Sequence, residues 1–355
     1  MKLIHMYCTL CPTRHVLNAQ LLVLVNGAFQ VVREYHAIQG PIKHSSNWDL
    51  STIPGLPSSG KLDLAEAGLQ PSYMSVTVHR NLKGYPLPGS MAQSDRTTLE
   101  QRMLVSVKKL MALQAEFGGE YHSLTPDTEF SMNLIKFKKL AAAETKLMEG
   151  LLEQAEDPKL KAAGIVDHWP IGRGVYISAD RECAVWVGGE DHFRIVCGKT
   201  GTVLNDVFDR VRRCLEVIEE DGQVVVSPNY GHVTSCPGKL GSGMRAALRL
   251  TLPLLLSSDV GLARAISLAG SKGLSATKSD DGRLDLSPTA ILGIEEAEVA
   301  GALYGGATLL AALESELAHE RELVSTTDSP SVYKRATLTN RWSRIERATI
   351  ALKNM

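Results

Sequence analysis

The chain has 355 residues, with 38 Lys+Arg against 39 Asp+Glu and a formal net charge of −1. Hydrophobic residues make up 44% and charged residues 22%, the balance of a soluble globular protein with a sizeable core in one large or two smaller domains. A near-neutral charge argues against a polyanion partner, and the longest N-terminal apolar stretch, Leu21 to Val25, is too short to span a bilayer.

Residues 1–30 carry Lys2 and Arg14 and no acid, and read as a helical or frayed N-terminus rather than a targeting peptide. Cys8 and Cys11 form a lone CxxC with no second ligand pair spaced for zinc, so no metal site is expected. Cys183, Cys197, Cys214 and Cys236 are scattered, which suits a reducing, cytoplasmic setting better than a disulfide framework. Turn formers crowd residues 39–62, an irregular connector. Leu99, Met103, Val107 and Leu110 recur at helical spacing, predicting a helix over 95–118, and 133–165 reads as further helix. The texture then changes. Val175–Ile177, Cys183–Val187 and Phe193–Cys197 read as strands, followed by an amphipathic helix over Leu204–Glu219. Val224–Val226 and His232–Cys236 read as strands, and Met244–Leu256 and Asp259–Leu268 as helix or strand returning to the sheet. Residues 269–288, rich in Gly, Ser, Lys and Asp, are expected to form a long loop of the kind that often serves as a lid. Ile294–Arg321 predicts a long helix, and 322–355 a polar, basic tail. The whole reads as α+β: a small all-helical N-terminal part over 1–62 with its linker, then a larger domain over 63–321 built on an antiparallel sheet flanked by helices.

Three ordered stretches carry a resemblance. They are Trp169-Pro-Ile-Gly-Arg-Gly174 with Trp186-Val-Gly-Gly-Glu-Asp-His-Phe-Arg194, then Ser235-Cys-Pro-Gly-Lys-Leu-Gly-Ser-Gly-Met-Arg-Ala246, and Arg80-Asn-Leu-Lys-Gly-Tyr-Pro86. They resemble the WPxxRGI and VWVNEEDHLRI segments, the CPTNLGTxxRA signature and the R…GYP motif of the phosphagen kinases, the ATP:guanidino phosphotransferases. Glu34-Tyr-His36, Lys43-His44, Asn47-Trp48, Gly119-Glu-Tyr121 and Leu124-Thr125 lend weaker support. The resemblance runs over roughly residues 33–320 and implies the glutamine synthetase/guanidino kinase-like fold. It implies transfer of the ATP γ-phosphate to a guanidino nitrogen, a reaction that rests on positioning and charge neutralisation. Arginines must hold the phosphates because guanidinium forks match their oxygens. A carboxylate must orient the nucleophile and take its proton. The resemblance places Glu190 as that carboxylate, Cys236 as the reactive cysteine beside the guanidino group, and Arg194 and Arg245 as phosphate-binding arginines.

Several expected parts are missing. Counting back from Gly84-Tyr85-Pro86, the R-V-R positions hold Ser75 and Thr77, and only Arg80 remains, further along. The arginine of the flexible loop is Ala269 or Gly270. Three of five phosphate-binding arginines are therefore absent. Arg249, Lys272, Lys239 and Arg173 are the candidate substitutes. Arg249 and Ile177 stand where the family has adenine-side histidines, and Leu274 or Ser275 where arginine-specific members carry a second carboxylate. The stretch before Asn47-Trp48 is short for the family's N-terminal domain. The expectation is a catalytically impaired relative, a pseudokinase kept for structure or for a protein partner. The alternatives are an active guanidino kinase using ATP/ADP with magnesium and a small guanidino substrate, with a homodimer possible, or a protein-arginine kinase.

Overall fold

Along Ser72–Arg80 (β1), apolar and polar residues alternate, so Met74, Val76 and Val78 are buried on one side while Tyr73, Ser75 and Thr77 are half-buried on the other. Sequence reading missed this strand, although the alternation predicts one. A computed structural model describes residues 46–143, 145–148, 153–227, 231–236, 239–289 and 294–325. The expectations for residues 1–30, for the start of the connector and for 326–355 lie outside them. The other strands are β2 (Glu120–Ser123), β3 (Gly174–Ile177), β4 (Cys183–Val187), β5 (Phe193–Gly201), β6 (Val226–Ser227), β7 (Gly231–His232), β8 (Met244–Leu250), β9 (Leu274–Lys278) and β10 (Leu284–Pro288). Eight of them form one sheet in the order β2-β3-β4-β5-β1-β8-β10-β9, with every pairing antiparallel. β6 and β7 pair separately.

One face of the sheet carries the main core. Met74, Val76, Val78, Ile195, Cys197, Ala246, Leu248 and Leu286 meet helices Gln93–Ala112, Asn205–Glu219, Asp259–Ser271 and Glu296–Ser325 there. The Asn205–Glu219 helix contributes Val207, Val211, Cys214, Leu215 and Ile218, a stripe at helical spacing. Among the described residues the other face is covered over β3, β4 and β5 alone, where Val175, Ile177, Ala184, Trp186 and Val196 pack against Phe137, Leu147 and Met148. β4 is therefore buried along its whole length and reads as an unbroken apolar run. Over β1, β8, β10 and β9 no such layer lies among the described residues, and the polar side chains of those strands line an open face.

The expected α+β architecture holds, with three differences. Residues 133–165 do not form one helix but the segments Leu134–Ala143, Thr145–Met148, Glu153–Glu156 and Pro158–Ala162. The strands expected over 224–236 shrink to two-residue β6 and β7. The long loop expected over 269–288 is instead the end of the Asp259–Ser271 helix followed by the hairpin β9–β10. Only one side of that hairpin is packed. Leu274, Ala276, Leu284 and Leu286 are buried, and the polar alternates gave the segment its loop-like composition.

Candidate active site

Strand register brings Arg194 and Arg245 to the same face of the sheet, Arg245 on its open part and Arg194 beside the layer that covers β4. Thr77 on β1 lies opposite Arg245 on β8 and Val196 on β5, while His79 lies opposite Arg194. Directly opposed residues share a face, as do residues two apart along a strand. Thr77 and His79 therefore lie between Arg194 and Arg245, whose strands are two spacings apart, roughly 10 Å, and Ser75 follows on the same face, opposite Gly198 and Ala247. The Arg194 guanidinium is held over the Trp186 ring, 4.2 Å from its centroid, and Arg245 is exposed.

The remaining candidate cations stand elsewhere. Arg249 is gripped by Asp285, Nε to Oδ1 at 2.6 Å and Nη2 to Oδ2 at 2.9 Å. Lys272 is exposed at the C-terminal cap of the Asp259–Ser271 helix, beyond β10 at the β9 edge of the sheet. Arg173 is buried and donates to the carbonyls of Ile165, Asp167 and Ile171, so it cannot replace a phosphate ligand. Arg80 is buried too, donating to the carbonyls of His79 and Ser242. Gly243 lets it fit: a Cβ there would stand 2.7 Å from the Arg80 Nη1. The one arginine left in its motif is a structural clamp between β1 and the start of β8.

The acidic side of the site is the turn from β4 to β5. Asp191 is buried and accepts hydrogen bonds from Asn81 Nδ2 and from the Ser235 backbone N–H, both at 2.7 Å, while its Oδ2 lies 3.2 Å from His79 Nδ1. These contacts outweigh its desolvation and hold its carboxyl below the usual range. His192 accepts the Leu82 N–H at Nδ1 (2.8 Å), which leaves Nε2 to donate to the Pro86 carbonyl at 2.8 Å. Burial pushes the His79 pKa down to about 4, and the nearby positive charges of Lys239 and Arg194 press the same way, so its ring is neutral near pH 7.

Glu190 and Cys236 are drawn together through this network. The Ser235 N–H is bound to Asp191, and the Cys236 carbonyl accepts from Thr234 Oγ1 at 2.8 Å and from the Lys239 N–H at 3.0 Å. Lys239 then reaches back, its ammonium 2.5 Å from Glu190 Oε2. The two side chains are 11% and 19% exposed, so the pair is largely shielded from water. Lys239 was a candidate phosphate ligand; its charge is instead engaged by the carboxylate. The structure thus groups Glu190, Cys236 and Lys239 with His79, Asp191 and Arg194, sets Arg245 one strand beyond β1, and leaves Arg249 and Lys272 apart. Sequence reading missed His79, Asp191 and Asn81, whose importance depends on pairings between segments about 110 residues apart.

The family description "ATP:guanido phosphotransferase, C-terminal catalytic domain" matches residues 81–317. An arginine kinase of Anthopleura japonica is 28% identical over 296 residues, covering 81% of this chain and 38% of that protein. A taurocyamine kinase of Schistosoma mansoni is also 28% identical, covering 81% and 37%. An arginine kinase of Amphioctopus fangsiao is 30% identical over 228 residues, covering 63% and 59%. The chain therefore spans less than two thirds of the length of each of these relatives, and well under half of the first two. Among solved structures, the duplicated taurocyamine kinase of Schistosoma mansoni with bound transition state analog components aligns with a TM-score of 0.65 at 24% identity, over 81% of this chain and 38% of that one. Lombricine kinase aligns at 0.64 and 20% identity, over 79% and 74%. At these identities the structural likeness establishes the fold.

Proposed function

The chain belongs to the ATP:guanido phosphotransferase family, and from that premise we propose a phosphagen kinase-like protein whose phosphoryl-transfer machinery is impaired and which serves a structural or partner-binding role. The observation that carries this reading is the make-up of the open face around β1. Between Arg194 and Arg245 stand Thr77 and a neutral His79, and Ser75 follows two residues beyond Thr77 on the same face. A hydroxyl gives phosphate a hydrogen bond of about 0.5–1.5 kcal/mol, against ~1.5–3 kcal/mol for a charged donor. Arginines aimed at a transferring phosphoryl group are worth about a thousandfold or more in rate. Arg249 is already satisfied by Asp285, and Lys272 stands beyond β10. Arg194 and Arg245 are then two cations where the family likeness calls for five around a nucleotide triphosphate with its magnesium.

On this reading residues 63–321 are the kinase-like domain, 1–62 an N-terminal region with its linker, and 322–355 a basic tail. The protein is cytoplasmic and takes a protein partner or a second copy of itself. An active kinase with ATP/ADP, magnesium and a guanidino substrate is the second reading, favoured by the grouping of Glu190, Cys236 and Arg194. Thermal shift with MgATP and MgADP, followed by a coupled assay with arginine, creatine, taurocyamine and glycocyamine, separates them. We expect no shift at millimolar nucleotide and no turnover. Turnover that Glu190→Gln abolishes would overturn the impaired reading and establish the second.

A further inference from the structure

We propose that Lys239 is a tethered cation that occupies the guanidinium-binding position at Glu190, so that a guanidino compound enters only after its ammonium leaves. The inference rests on the family reading of Glu190 and deepens it. A half-buried carboxylate is a receptor for one cation, because a second cation brought against it meets like-charge repulsion in a poorly screened place. Here the receptor is filled from within. Lys239 lies three residues after Cys236, its N–H is fixed on the Cys236 carbonyl, and its ammonium is 2.5 Å from Glu190 Oε2. Asp191 adds a second negative charge on the same side, since the Lys239 charge is among those stabilising it. The lysine chain therefore spans the gap between the cysteine turn and the β4–β5 turn, the two segments the resemblance places around a guanidino group.

Tethering is what makes the occupant effective. A free ligand competes with a charge held at high effective concentration by a short segment of backbone. A protein competent to bind only when a minor state is open loses apparent affinity by the fraction open. A charge-assisted contact of this kind lowers guanidino affinity on the order of ten- to a hundredfold.

The test uses the full chain and two probes, arginine and taurocyamine, titrated by calorimetry without nucleotide. Lys239→Asn takes the residue that the resembling signature carries at this position, and Lys239→Met keeps the stem volume should the asparagine variant fail to fold. We expect at least tenfold tighter probe binding in either variant than in the wild type, and its loss when Glu190→Gln is added. Equal binding in the wild type and a folded variant, including no measurable heat in both, overturns the proposal. So does a gain that survives Glu190→Gln. The impaired-kinase reading fails separately: it falls if the wild type turns over either probe with MgATP, whatever the binding comparison gives.

Discussion

His79 gives the folded protein a definite acid sensitivity. Its ring is buried against Asp191, with Lys239 and Arg194 nearby, and its pKa falls from 6.5 to about 4. A histidine kept neutral by the fold contributes fully above its unfolded pKa, and that contribution is lost as pH falls from about 6.5 through about 4. The gap is worth ~3 kcal/mol in full, of which ~2.5 kcal/mol disappears between about pH 7 and about pH 4.5. His79→Asn places an amide nitrogen near the position of Nδ1 and keeps a donor for Asp191 without a titrating group. Urea unfolding of both proteins at the two pH values should show the wild type losing about 2 kcal/mol more than the variant. Other titrating groups cancel in that difference. His192 is also lowered by burial and acts in the same direction, Glu296 is raised by burial and acts in the opposite one, and both remain in each protein. Asp191 is held below 3.8, so its own contribution is lost below this window. Equal pH dependence in the two proteins would refute the argument that the His79 ring is held neutral by burial.

Two further outcomes follow from the packing. Glu100 is buried and accepts hydrogen bonds from Tyr121 Oη at 3.0 Å, Ser123 Oγ at 2.6 Å and Thr125 Oγ1 at 2.5 Å, so Glu100→Ala takes the acceptor from three buried hydroxyl protons and should cost about 3 kcal/mol in urea unfolding. Among the described cysteines only Cys236 is partly exposed, while Cys183, Cys197 and Cys214 are buried, so brief alkylation of the folded protein with mass mapping should label Cys236 and spare the other three until urea is added.

Much of the domain is legible in the sequence, and the reasons differ by element. β3 and β4 announce themselves because both faces are covered and every residue is buried, and β5 by its apolar run Ile195–Cys197. The Asn205–Glu219 helix announces itself by a stripe at helical spacing. The hairpin β9–β10 does not, because its polar alternates lie on the open face and its turn, Ser279 to Arg283, dominates the composition. The site is legible as a set of motifs but not as a set of contacts. Glu190, Arg194, Cys236 and Arg245 can be picked out by likeness to a family. That Arg80 and Arg173 spend their donors on backbone carbonyls, or that Arg249 is held by Asp285, depends on which segments the fold lays side by side.

The contrast between the two halves of the site bears on how such a protein keeps part of its machinery. On β1, where the family likeness expects arginines, a hydroxyl residue is cheap to hold. Ser75 and Thr77 sit half-buried on an open strand face, where a hydroxyl meets water or a neighbour and leaves no charge stranded. On the carboxylate side a vacancy is costly. Glu190 is largely shielded and lies next in sequence to the buried Asp191, so two negative charges share one poorly solvated turn. Losing a cationic ligand there without replacement would leave the turn under charge repulsion, and the Lys239 ammonium relieves it. The pair therefore gives Glu190 a structural reason to persist that owes nothing to catalysis. It also makes the persistence of that carboxylate, taken alone, poor evidence of activity. Arg194 has a similar second reason, its seat over Trp186 in the smaller core. Arg245 is exposed on β8 beside Thr77, away from that aromatic seat and from the shielded turn. Of the residues that family likeness singles out, its response to phosphate-bearing ligands is the most direct report on what the open face still binds.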